Sequence, residues 1–168
     1  MPDIVYKPAD VAKGHNYSPE IEKRLSLQYL LVRYGKRIIQ SEDTSSVDTL
    51  ETLYTVPVGK VFFLLGACLS SSSNDTSWGY AYLLIMPTAA GVVQEDYTII
   101  RQVIPFMDPT TDVSGGVSNN LNPSIPIRVI YGEKIDVYAN PTTAAKTVRA
   151  SASIVGYEID ASLVSDFI

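Results

Sequence analysis

Apolar and polar positions alternate along most of this chain, in short runs that end in polar turns. Runs rich in Val, Ile, Tyr, Phe and Thr, bounded by Gly, Pro, Asn, Asp and Ser, predict β-strands. From residue 48 onward the predicted strands are 48–56, 60–69, 78–86, 97–106, 125–130, 134–139 and 148–159. A further β-rich segment at 28–39 brings the total to about eight strands. The polar segments 41–46 and 112–120 are predicted loops.

Two of the turns share one pattern, in which an apolar strand leads into a Gly-containing turn, a Lys and a second apolar strand. The pattern occurs around Gly59 and Lys60, and again around Gly132 and Lys134. Tight Gly-containing turns between apolar strands are typical of antiparallel hairpins. The repeated turn therefore predicts an antiparallel sheet protein.

The N-terminal part of the chain has a different pattern. Residues 1–20 contain three prolines and show no clear period, which predicts an extended arm. A Ser-Pro-Glu sequence at 18–20 is a helix start, so a short helix or turn opens the segment 21–47, followed by the first strand and a loop. A helix that continues to Arg33 is the alternative. Residues 48–168 form the predicted sandwich body.

The predicted fold class is all-β. The number of strands, the antiparallel hairpins and a long loop between two halves match an antiparallel jelly-roll-like β-sandwich of about eight strands, with an extended N-terminal arm and a short helix. The alternative is an immunoglobulin-like or fibronectin-like sandwich. That fold usually has about 100 residues, which is fewer than this body contains.

Two predicted strands, 60–69 and 78–86, are apolar on both faces. A strand of this kind is either central in the fold or covered by another protein surface. The chain also has 11 tyrosines but only four Phe and one Trp. Because a phenol combines an apolar ring with a polar tip, this composition suits surfaces that are partly buried and partly wet.

The net charge of −5 is unevenly distributed. Residues 1–40 carry seven basic and four acidic side chains, whereas 41–168 carry six basic and 14 acidic ones. An acidic body disfavours nucleic-acid binding, and a basic leading segment is able to lie on an acidic neighbour. The predicted partner-binding residues are Lys7, Lys13, Tyr17, Tyr29, Arg33 and Tyr34. The alternative for Arg33, with Lys36 and Arg37, is an edge strand protected from aggregation by its charges.

Residues able to perform catalysis are scarce. The single histidine, His15, lies in the predicted arm, and the single cysteine, Cys68, is interpreted as a small buried apolar residue. One His and one Cys are too few for a typical zinc site. Residues 108–112 offer oxygen ligands for Ca²⁺ but do not match an EF-hand loop, so a turn is the preferred interpretation.

Other classes of function find little support. The acidic pairs at 42–43, 95–96 and 108 with 112 lie in predicted loops or strand edges, where solubility explains them better than a two-carboxylate hydrolase. No apolar run is long enough to span a membrane, and the N-terminus lacks the pattern of a signal peptide. The sequence thus predicts no catalytic residue, cofactor, metal, nucleic acid or membrane.

Three stretches carry a resemblance to a known group of proteins. They are TVPVGKVF at 55–62, PIRV at 126–129 leading to GEKI at 132–135, and ASIVGYE at 152–158. Their strands and turns resemble the β-sandwich structural proteins of tailed bacteriophages, such as head-decoration, head-fibre and tail components. The resemblance implies a non-enzymatic virion protein that is made in the host cytoplasm, is often trimeric, and lies on a capsid or tail.

The leading hypothesis is therefore a capsid-decoration or head-fibre type module that binds neighbouring capsid or tail subunits. Its contacts would come from apolar and Tyr-rich sheet faces and from the N-terminal arm. The alternative is a carbohydrate-binding, receptor-recognising module. In that case the predicted sugar-stacking residues are Trp78, Tyr80 and Tyr97.

Overall fold

The structure is a computed structural model of the chain. It describes residues 19–44, 49–73, 79–89, 97–104, 116–141 and 148–165. The predicted arm at 1–20 lies outside the described residues except for its last two positions. The arm therefore stays a prediction.

One α-helix and nine β-strands make up the described part of the chain. Helix α1 spans Pro19–Tyr34, and the strands are β1 Lys36–Thr44, β2 Thr49–Thr55, β3 Lys60–Ser73, β4 Gly79–Pro87, β5 Thr98–Ile104, β6 Gly116–Leu121, β7 Ile127–Ile130, β8 Glu133–Pro141 and β9 Val148–Asp160. A short 3₁₀ turn at Ala161–Leu163 follows the last strand.

The strands form two antiparallel sheets. The first sheet has the order β1-β9-β3-β6, and β7 pairs with β3 beyond the end of β6, so β6 and β7 share one strand position. The second sheet has the order β2-β8-β4-β5. Every connection crosses between the sheets except those from β4 to β5 and from β6 to β7. Eight strand positions in two four-stranded sheets with this crossing pattern confirm the predicted jelly-roll-like sandwich.

The main core lies between the two sheets. Alternate residues of each strand point inward, and the fully buried ones include Phe62, Leu64 and Leu69 of β3, Ala81 and Leu83 of β4, Ile135 and Val137 of β8, and Ala152 and Ile154 of β9. Ala152 of β9 lies opposite Leu69 of β3, so a small side chain fits beside a large one, as expected of close packing. The alternation found in the sequence is therefore the alternation of the core.

Helix α1 covers one end of the first sheet on its outer face. Leu27, Leu30 and Leu31 pack against Val61 and Phe63 of β3, with Ile159 of β9 in the same cluster. The spacing of three and four residues places the three leucines on one side of the helix. This packing explains why β3 is apolar on both faces.

The predicted strand at 28–39 is wrong over its first half, where the chain is helical as far as Tyr34. The alternative of a helix continuing to Arg33 is correct. The segment looked β-rich because of its Tyr, Leu and Val content, but burial of its leucine stripe on β3 outweighs that local propensity. Gly35 ends the helix, and a Cβ at this position would lie 2.4 Å from the carbonyl oxygen of Leu31.

Two further predictions are corrected by the structure. Residues 41–46 were expected to be a polar loop, yet β1 runs on to Thr44. Residues 112–120 were also expected to be a loop, whereas Gly116–Leu121 forms β6. Both are edge strands, with β1 paired to β9 and β6 paired to β3. Because both are made largely of polar residues, their sequences show no apolar alternation and look like loops.

The two glycine turns lie side by side at one end of the sandwich. Gly59 and Gly132 have φ values of 73° and 92°, a left-handed conformation that favours glycine. The turns are linked because β2 pairs with β8 and the Val56 amide donates to the Glu133 carbonyl at 3.2 Å. Each turn joins strands of different sheets, β2 to β3 and β7 to β8, so the prediction that these turns close antiparallel hairpins is wrong, although the sheets themselves are antiparallel as predicted.

Candidate interaction surfaces

The outer face of the second sheet carries a tyrosine cluster. The rings of Tyr82 and Tyr138 lie 5.9 Å apart and are stacked, and Tyr80 lies 6.1 Å from Tyr82. The guanidinium of Arg101, on the neighbouring strand β5, sits 4.3 Å from the centroid of the Tyr80 ring. Tyr82 and Tyr138 are buried, so the accessible part of this cluster is the corner formed by Tyr80 and Arg101.

A buried ion pair lies on the same face. Asp136 is fully buried, accepts a hydrogen bond from Thr52 Oγ1 at 2.6 Å and lies 2.9 Å from Lys134 Nζ through its second oxygen. Removing one partner of such a pair leaves an uncompensated buried charge. Both partners of the ion pair belong to β8, and the hydrogen bond from Thr52 joins β2 to β8, so the group is a structural feature rather than a binding group.

An exposed patch with basic and apolar side chains forms where α1 meets β1. Val32 is 73% exposed and Tyr34 46% exposed at the end of the helix, and Ile39 of β1 is 62% exposed. Arg33 is exposed, and Tyr29 is half-buried. Three of the six predicted partner-binding residues thus belong to α1, while Lys7, Lys13 and Tyr17 lie outside the described residues.

The remaining half of the first sheet's outer face is lined by small polar side chains. A shallow depression of about 560 Å³ is bordered by Asp43, Ser70, Ser72, Ser118, Arg149 and Ser151. Cys68 is half-buried beside it, with its Sγ 3.4 Å from Ser118 Oγ, so the interpretation of a fully buried cysteine is wrong. Ser118 belongs to edge strand β6. Because the sequence of that strand is polar, it was predicted to be a loop and Ser118 was not recognised as part of a sheet face. The hydroxyls suit polar contacts with a flat partner surface.

The predicted sugar-stacking residues do not form one platform. Trp78 lies outside the described residues, Tyr80 is half-buried beneath Arg101, and Tyr97 is 40% exposed just before β5. Tyr80 pairs with Val103 while Thr98 pairs with Leu84, which separates the two tyrosines by roughly 15 Å along the sheet. A sugar would therefore contact each ring separately.

Several exposed apolar side chains lie at the glycine turns, and none of them is among the site residues predicted from the sequence. Val58 is 74% exposed, Tyr131 59% and Leu163 44%. The Thr88 amide donates to the Gly132 carbonyl at 2.7 Å, and the Ala161 amide donates to the Gly59 carbonyl at 2.9 Å. Each turn is thus bonded to a neighbouring segment. The signal was present in the sequence, since both glycine turns carry a large apolar residue directly before the glycine.

Tyr54 and Glu158 form a half-buried pair beside the main core. The Tyr54 hydroxyl donates a hydrogen bond to Glu158, and its ring packs 4.7 Å from that of Phe62. Burial, and then the hydrogen bond and the charge of Glu158, raise the pKa of the Tyr54 phenol well above its ordinary value of 10.0. At the surface, Lys60 Nζ lies 2.7 Å from Asp160 Oδ1, and this contact raises the pKa of Lys60.

Metal-binding clusters and membrane-spanning helices are two features that the described residues lack. Within the described ranges, no group of three or more His, Cys, Asp or Glu side chains comes together to hold a metal ion. Among the helices of that part of the chain, none has the length and apolar character needed to cross a membrane. His15 and the carboxylates at 95–96, 108 and 112 lie outside the described residues.

Comparison with known proteins gives a likeness of fold. No family model and no curated protein matches the sequence. Among solved structures, the capsid of cyanophage Pam1 matches with a TM-score of 0.41 and 14% identity over 74% of this chain and 86% of that one. The acid-stable capsid of Helicobacter pylori bacteriophage KHP30 matches with a TM-score of 0.43 and 7% identity over 76% and 95%.

A third match is a pilus protein of Bacillus endospore appendages, with a TM-score of 0.37 and 10% identity over 76% of this chain and 90% of that one. Two of the three structures are phage capsids. TM-scores below 0.5 limit this likeness to the general style of the sandwich.

Proposed function

We propose that this protein is a non-enzymatic structural component of a bacteriophage particle. The observation that carries the proposal is the distribution of exposed side chains on a rigid jelly-roll sandwich. Apolar and basic groups are presented at the α1–β1 junction and at the glycine turns, on open surfaces rather than in an enclosed pocket. Open surfaces of this kind suit contacts with other proteins better than they suit a small substrate.

The more specific proposal is a capsid-decoration or head-fibre module that is assembled in the host cytoplasm. The resemblance of the glycine-turn strands to phage structural proteins supports this role. Its partners would be capsid or tail subunits, contacted through Tyr29, Arg33 and Tyr34 of α1 and through Lys7, Lys13 and Tyr17 of the predicted arm. A trimer is expected from the same resemblance.

The arm is tested by deletion. Since α1 begins at Pro19, a variant lacking residues 1–18 keeps the helix that packs on Phe63. Full-length and shortened protein are mixed with particles of the phage whose genome encodes the chain, and the bound fraction is measured after sedimentation. We expect the shortened protein to keep its melting temperature and lose particle binding. Equal binding of both proteins would contradict the role of the arm.

The alternative function is carbohydrate binding at the second sheet. The exposure of Tyr97 and the Tyr80–Arg101 corner favour it, since aromatic rings stack on sugar faces. Glycan titration followed by the fluorescence of Trp78 tests this function, with Tyr97→Ala and Tyr80→Ala as variants. A response lost in either variant would support it, whereas a flat response across many glycans would reject it.

A further inference from the structure

Strand β1 forms one edge of the first sheet. Among the described strands it pairs only with β9, and all of its residues except Ile38 and Thr44 are exposed. An edge strand presents unpaired backbone donors and acceptors to which another strand is able to add. What distinguishes this edge is the order of its side chains.

The charges of β1 are separated by sign. The strand reads KRIIQSEDT, with Lys36 and Arg37 at its start and Glu42 and Asp43 near its end. Uncharged residues occupy the middle, where Ile39 is 62% exposed. Edge strands that only need protection from aggregation have no reason to sort their charges in this way. Because the basic residues lie at one end and the acidic residues at the other, the strand is complementary to a second copy of itself that runs in the opposite direction.

An antiparallel copy of β1 satisfies this complementarity. When a twofold axis passes through Gln40, all nine residues of the strand are paired, and Arg37 of each copy lies opposite Asp43 of the other. Lys36 is then diagonal to Glu42, and Ile39 lies opposite Ser41. Opposite charges placed across an antiparallel pair stabilise it, and like charges destabilise it.

We propose that β1 pairs with β1 of a second copy of this chain, which joins the two first sheets into one continuous sheet of eight strand positions. The pairing is isologous, because the same strand contributes both sides of the contact. It would form on the order of eight new backbone hydrogen bonds and cover Ile39. The inference is independent of the proposed virion role. It concerns the free protein, for which it replaces the trimer expected from the resemblance with a dimer.

The test uses two charge-reversal variants. Lys36→Glu with Arg37→Glu makes both ends of β1 acidic, and Glu42→Lys with Asp43→Lys makes both ends basic. Each pair of changes lies on exposed side chains, so the sandwich should fold in both variants. Mass is measured by light scattering after size exclusion at about 50 μM, and folding is checked by thermal denaturation.

We expect the natural chain to have twice its 18.4 kDa chain mass. Each variant alone should dissociate at least about tenfold more readily, because attraction at both ends becomes repulsion. An equimolar mixture of the two variants should recover the dimer mass, since acidic ends then meet basic ends. A fourfold variant that exchanges both charge pairs should also dimerise, and it controls for net charge.

A matched control places charge reversal elsewhere. Glu51→Lys with Arg128→Glu alters exposed residues of β2 and β7 and should leave the mass unchanged. A natural chain of single mass at this concentration would overturn the proposal. So would a dimer or trimer mass that neither variant lowers, or a mixture that fails to restore the dimer.

Discussion

The two halves of strand β3 have opposite character, although they belong to one continuous strand. In the first half Phe62 faces the inter-sheet core and Phe63 faces helix α1, and both are buried. In the second half Ser71 faces inward and is buried, while Ser70 and Ser72 line the open depression. The first half holds the fold together, and the second leaves a sheet face available for contact.

The largest expected effect comes from the apolar half. Phe62→Ala removes a fully buried ring that packs against Tyr54 and against Gly156, where even a Cβ would lie 2.5 Å from the ring. We expect a loss of about 3–5 kcal/mol in the free energy of unfolding, measured with urea. The matched change Ser72→Ala, in the other half of the same strand, should cost less than about 0.5 kcal/mol. Equal losses would remove the distinction between the halves.

A smaller effect is expected in the second half of β3, which ends in four serines. Gln102 of β5 crosses the sandwich, and its side-chain amide donates to Ser71 Oγ and, at 2.9 Å, to the carbonyl of Val117. Gln102→Ala leaves the buried Ser71 hydroxyl and the Val117 carbonyl without their donor and should cost about 1–3 kcal/mol in urea unfolding. Ser118→Ala, on the outer side of the same end, is the control and should be nearly neutral. No loss in the Gln102 variant would show that this end contributes nothing to stability.

The smallest effect is a change in alkaline stability. The pKa of Tyr54 is raised in the folded protein, so the neutral phenol is the favoured form there. Its contribution is fully present below the ordinary Tyr pKa of 10.0 and decreases as pH rises above that value. Tyr54→Phe should therefore reduce the loss of unfolding free energy between pH 10 and 12 by about 1 kcal/mol. The measurement is a smaller fall in melting temperature over the same pH range. Tyr131→Phe, an exposed tyrosine, should leave the fall unchanged.

The sequence predicted the parts of the fold that bury an alternating apolar face. Strands such as β8 and β9 carry that alternation in their own residues, and the glycine turns mark where β3 and β8 begin. Helix α1 was missed in part because the reason for its leucine stripe, Phe63, lies more than 30 residues away. Strand β6 was missed because a polar edge strand looks like a loop.

The candidate surfaces were less accessible to prediction. Tyr80 was identified as an exposed aromatic residue, but the cover it receives from Arg101 depends on strand register, which no local pattern reveals. The charge order of β1 was visible in the sequence. Its meaning was not, because only the structure places that strand at a sheet edge.

The most direct test of the proposed function is whether the protein is a component of the virion. Purified particles of the phage whose genome encodes the chain are analysed by quantitative mass spectrometry, and the amount of this protein is compared with that of the major capsid protein. The proposal predicts that the chain is present at a fixed, reproducible ratio that survives washing in high salt. Absence from the particles, or a ratio that varies between preparations, would contradict a structural role.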